Sequence, residues 1–181
     1  MKNTRKLFIY IILIFYCGFV LYFTIISRDR QPKKQSDLSL LYTYYSIWYY
    51  EWQYAAKYVL MEVIGNVIMF LPFGVLVESI FYPDFCMRRN IILGLAFSMS
   101  IECIQYLTGT GVFQLVDMVH NTVGAVTGSS TYFILGLWKH GKIKDERKEI
   151  WRMHSPIIIL LGILAIASIR PILREVCSLI Q

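Results

Sequence analysis

The chain has 181 residues, 56% hydrophobic and 17% charged, with a mean hydropathy of +0.52. That is less charge than the roughly one quarter typical of a soluble domain, and the apolar residues fall into long runs separated by charged loops, as in a membrane protein. The net charge of +6 sits in clusters beside those runs with no aromatic-basic motif, which excludes nucleic acid as a partner and leaves charges that orient the chain in a bilayer.

We read one integral membrane domain over 1–181, all-α, a polytopic transmembrane bundle of about five helices, with an interfacial helix as one of two readings of the aromatic stretch. Cys17, Cys86, Cys103 and Cys177 show no paired spacing and do not combine with His120, His140 and His154 into a ligand pattern. No metal, cofactor or disulfide is expected.

The first span covers 7–26, a 20-residue apolar run behind a basic N-terminus. It is longer than a signal-peptide core and lacks a small-residue cleavage site, so it reads as an uncleaved helix. Residues 40–58 hold Tyr42, Tyr44, Tyr45, Trp48, Tyr49, Tyr50, Trp52, Tyr54 and Tyr58. Such rings favour the membrane-water boundary, either as a helix lying on the bilayer or as the belt of the next span.

The second span, 59–81, carries Glu62, Asn66, Pro72 and Gly74, and ends near Glu78, which we expect to snorkel to the interface. Asn66 is costly in hydrocarbon and calls for a partner, expected in Ser100–Tyr106 of the third span (90–107). Pro72 removes one helical hydrogen bond and is expected to kink the second span. After a base-free loop with Gly109 and Gly111, the fourth span covers 118–138 and is followed by a basic loop. The fifth, 156–175, is too short in its apolar part to cross unaided and relies on Trp151, Arg170 and Arg174 at its ends.

With the N-terminus inside, the inner segments carry eleven bases and the outer segments seven, which favours that orientation. Glu62 and Asn66, Glu102 and Gln105, and Asp117 and Asn121 are spaced three or four apart, so each pair shares a helix face. All fall in the outer half of the bilayer. Asn66, Glu102, Gln105, Asp117 and Asn121 are therefore a candidate functional polar cluster, which Ser98 could extend inward.

Two readings of these residues stay open. The amides can serve as hydrogen-bonded glue between helices, and Pro72, Gly74, Gly124 and Gly128 as kink and packing positions, the last two in a Gly-x-x-x-Gly pattern that lets backbones approach. A carboxylate within a span is expensive, which favours a functional role for Glu102. Asp117 is equally suited to capping a helix start, and His120 reads as an interfacial polar residue rather than a catalyst. No catalytic residue is identified.

Asn66 with Phe70-Leu-Pro-Phe-Gly74, Glu102 with Gln105, Gly109-Thr-Gly-Val-Phe113, Asp117, and Asn121 with Gly124 and Gly128 together resemble the VanZ-like family of small bacterial membrane proteins. Thr110 stands where many members have Arg, and Val116 where a second acid often precedes Asp117. The resemblance implies a multi-pass protein of the bacterial cytoplasmic membrane that modulates low-level resistance to the lipoglycopeptide teicoplanin, without catalysis, in contact with membrane lipids. The alternative is a membrane enzyme or carrier acting on a lipid or lipid-linked envelope precursor, with Glu102 as general acid or base.

Overall fold

The computed structural model describes residues 2–26, 36–38 and 63–140. Glu62, the aromatic stretch 40–58 and the fifth hydrophobic segment lie outside them. Four α-helices make up almost all of the described chain: α1 (Lys2–Leu21), α2 (Gly65–Phe81), α3 (Met87–Thr108) and α4 (Leu115–Lys139). A π-helical turn, Tyr22–Ile26, continues α1. Two short strands, β1 (Ser36–Asp37) and β2 (Phe113–Gln114), pair in parallel, with Ser36 opposite Phe113.

Among the described residues, the first four apolar runs fold as helices, as their sequence predicts. Two helical stretches are long and apolar enough to cross a membrane, Thr4–Ile25 and Met87–Thr108, while Gly65–Phe81 is apolar but shorter. At 25 residues α4 is the longest helix among the described residues, and its buried side mixes the polar Asp117, His120, Asn121, Ser129 and Ser130 with Gly124, Gly128 and apolar residues such as Met118, Val126 and Phe133.

α2 and α4 run parallel in direct backbone contact. A Cβ on Gly124 would strike the Val67 carbonyl, one on Gly128 the Leu71 carbonyl, and one on Gly74 the Ala125 carbonyl. This is the close approach expected of the Gly-x-x-x-Gly pattern, and Gly74 completes it from the other side. Pro72 lies inside an α2 that continues to Phe81. Carbonyls flanking Pro72 take extra donors from outside the helix: Tyr16 Oη donates to Met69 O (2.6 Å) and Ser129 Oγ to Gly74 O (3.0 Å).

The remaining core joins α1, α2 and α3 through Val20, Phe70, Phe73, Val77 and Ile101, with Ala125 of α4. Phe97 stacks on Phe73 with centroids 5.0 Å apart.

On α3 polarity is distributed inside out. The buried residues of α3 are Asn90, Gly94, Ser98, Ile101, Glu102 and Gln105, whereas Ile91, Ile92, Leu95, Met99 and Leu107 face outward. On α1, Phe8, Ile14, Phe15 and Phe19 are exposed, Phe15 to 75%. Soluble folds rarely expose apolar surface on this scale.

Candidate functional site

α1 and α3 end where α2 and α4 begin, so the π-helical turn, the loop 109–114 and the first turn of α4 meet at one end of the bundle. Gly109 ends α3 in the left-handed conformation (φ 70°, ψ 24°), where a side chain would be strained, and Thr110 N–H donates back to Gln105 O at 3.0 Å. The chain then turns tightly over α3. Gly111 rests on the Gln105 side chain, which a Cβ there would meet at 3.3 Å.

The polar residues of α3 use this arrangement in sequence. Ser98 Oγ accepts a hydrogen bond from Asn121 Nδ2 at 2.8 Å, both groups buried. One turn on, Glu102 Oε2 accepts the backbone N–H of Gln114 at 2.9 Å. Gln114 is the N-cap of α4 and provides no side-chain cap of its own. In a capping box the residue at the third helical position reaches back to that N–H; here the carboxylate comes from the neighbouring helix. One turn further, Gln105 Nε2 donates to Thr24 O at 3.0 Å, joining α3 to the end of α1.

Asp117 occupies the third position of α4, buried to 7% exposure, beside a helix N-terminus whose dipole favours an anion. Two carboxylates, Glu102 and Asp117, are thus buried at the start of one helix. Such a site can hold a proton, bind a cationic group, or lock the helix start in place.

Four of the five predicted cluster residues gather at this end: Glu102, Asp117 and Asn121 along the seam between α3 and α4, and Gln105 against the end of α1. Asn66 stands apart. It shares the α2 face of Phe70 and Phe73, and its buried Nδ2 has no hydrogen-bond partner among the described residues, so the partner expected from Ser100–Tyr106 is not there. Glu102 and Gln105 of that stretch reach α4 and the end of α1 instead, and Ser100 bonds back to Ala96 O of its own helix.

Two further expectations are corrected. Glu78 does not snorkel: it is fully buried, accepting from Asn90 Nδ2 at 2.9 Å and Arg89 Nη2 at 3.1 Å. Arg89 also lies over the Phe81 ring, 3.9 Å from its centroid. The short turn between α2 and α3 brings these groups together, and opposite charges eleven residues apart across Pro83-Asp84 were the available signal. His120 is wholly buried rather than interfacial. Thr110 is nearly buried, and its Oγ1 lies 2.9 Å from Thr108 Oγ1. Sequence reasoning also missed Thr24, whose one visible signal was a hydroxyl near the end of an apolar run. Among the described residues no cluster of His, Cys, Asp and Glu could hold a metal ion.

The sequence matches the VanZ/LLP1 family over residues 7–136. The chain belongs to the VanZ/LLP1 family. The matched region contains the α3–α4 seam and the α2–α4 glycine contact, and stops before the fifth hydrophobic segment. Protein VanZ of Enterococcus faecium is 29% identical over 103 residues, a match covering 57% of this chain and 57% of that protein. This chain therefore spans less than two thirds of that relative's length. No solved structure matches the chain.

Proposed function

We propose that this VanZ/LLP1 protein is embedded in the bacterial cytoplasmic membrane, N-terminus inside, and modulates low-level resistance to teicoplanin through the polar seam at its outer end. The inside-out polarity carries this reading. Lipid accepts the exposed Phe and Ile of α1 and α3, while polar groups must be satisfied within the bundle. Among the described residues the end holding Glu102 and Asp117 has no Lys or Arg, and Arg5, Lys6, Arg88, Arg89 and Lys139 stand at the other. That asymmetry supports an outward-facing seam. Teicoplanin itself comes from the family resemblance: it carries an acyl chain, and a protein acting at the outer leaflet would oppose its anchoring.

Expression in a susceptible host is expected to raise the teicoplanin inhibitory concentration and leave that of vancomycin unchanged; an equal rise for both would point away from the acyl chain. For topology, a cysteine at exposed Thr108, in a background without the native cysteines, is expected to react with an impermeant thiol reagent on intact cells, and one at Arg88 to stay unlabelled. A second reading, an enzyme or carrier for a lipid-linked precursor, is favoured by the two buried carboxylates at one helix start. A change in extractable envelope lipids on expression would support it over the first.

A further inference from the structure

A groove of about 390 Å³ runs from the middle of the bundle toward the end opposite the polar seam, between α1, α2 and α3. Tyr10 and Leu13 line it from α1, Phe73 and Val77 from α2, Leu93 and Ala96 from α3. Its wall is almost wholly apolar, since Ser100 at its far end turns its hydroxyl back to Ala96 O at 2.8 Å. Tyr10 is 45% exposed and Leu93 36%, so the groove is open to the side.

Its basic rim distinguishes it from an ordinary lipid-facing dent. On α3, Arg89 precedes Leu93 and Ala96 by four and seven residues and so heads the same helical stripe; on α1, Lys6 stands in the same relation to Tyr10 and Leu13. α1 and α2 run antiparallel, with Tyr16 at the level of Met69, which brings Lys6 to the end of α2 where Arg88 and Arg89 begin α3. Arg89 is held by Glu78. Arg5, Lys6 and Arg88 are exposed, with Asp84 the exposed acid in the intervening turn. An apolar slot headed by surplus positive charge matches a molecule with an acyl chain below a negatively charged headgroup.

We propose that this groove binds an anionic glycerophospholipid, with one acyl chain between α1 and α3 and the headgroup phosphate among Arg5, Lys6 and Arg88. The inference rests on the membrane-embedded reading above and is independent of any part in antibiotic resistance. The bases place the site at the cytoplasmic leaflet, where anionic headgroups reinforce such contacts.

The test uses the purified full chain in neutral detergent, titrated with phosphatidylglycerol or phosphatidylcholine of identical chains and read by native mass spectrometry. Phosphatidylglycerol is expected to bind the more tightly, by roughly fivefold for each engaged base. Lys6→Gln with Arg88→Gln is expected to reduce it to the phosphatidylcholine level. Ala96→Phe, which fills the slot from an exposed position, is expected to weaken both lipids; Ser100→Phe does the same from the far end and serves if the first variant is not monodisperse. Equal binding of the two lipids by the unmodified chain would overturn the proposal. So would unchanged binding in both plugged variants, which would mean a surface headgroup contact only, or a groove covered by another part of the chain or by a second copy. Neither result bears on the teicoplanin measurement, so the two readings fail separately.

Discussion

α4 makes two kinds of contact from two of its faces. Toward α2 it presents Gly124 and Gly128, and the helices meet backbone to backbone with no room for a methyl group. Toward α3 it presents Asn121 and the Gln114 N–H, and the helices meet through hydrogen bonds to Ser98 and Glu102. The glycine face is held by shape, and any added atom must displace main chain. The polar face is held by a few replaceable bonds, each contributing only about 1 kcal/mol in a membrane bundle, with one close contact where Gly94 meets the Ala125 methyl group. Stability should therefore depend most on the first face, which leaves the second available for function.

The largest expected effect tests the glycine face. Gly128→Leu should abolish most accumulation in the membrane, because overpacking against a backbone carbonyl sits at or above the upper end of the usual cost of about 1–3 kcal/mol. Gly18→Leu is the control, since a Cβ there meets nothing within 4 Å. Similar immunoblot signals for the two would break the comparison.

Next comes the buried pair at the far end. Glu78→Ala removes the acceptor of both Asn90 and Arg89 and should lower stability by about 3 kcal/mol, the low end for a broken buried pair because the Arg89 side chain keeps 21% exposure. Glu78→Gln retains an acceptor for Asn90 and should lose less. Thermal unfolding in detergent would rank them, and an indifferent Glu78→Ala would mean that the α2–α3 turn is held by other contacts.

On the polar face, a double-mutant cycle of Asn121→Ala and Ser98→Ala should give a coupling of about 0.6–1.7 kcal/mol. A value near zero would remove this bond from the seam.

The smallest stability effect should belong to Glu102→Gln, whose amide oxygen can still accept the Gln114 N–H. Accumulation is expected to be normal while the teicoplanin inhibitory concentration falls, separating charge from glue. Retained resistance would make Glu102 a cap in trans and nothing more. Asn66→Ala should also accumulate normally, because its buried donor has no partner among the described residues to strand.

The sequence by itself determined the helices α1 to α4, the polar cluster's collection at one end, and the role of Gly124 and Gly128. Those are properties of a single helix: hydropathy over its length, spacing on its face, and the absence of a Cβ. The partners were decided only in the tertiary structure. Asn66 was matched in sequence to the third span, but Glu102 and Gln105 there take main-chain partners at the start of α4 and the end of α1 instead. Glu78 and Arg89 meet because a five-residue connection folds α2 back onto α3, and Glu102 accepts a backbone N–H at the start of α4. Residue spacing defines which face a side chain occupies on its own helix. Which neighbour that face meets depends on helix rotation and register, and both are set by how all the helices pack together.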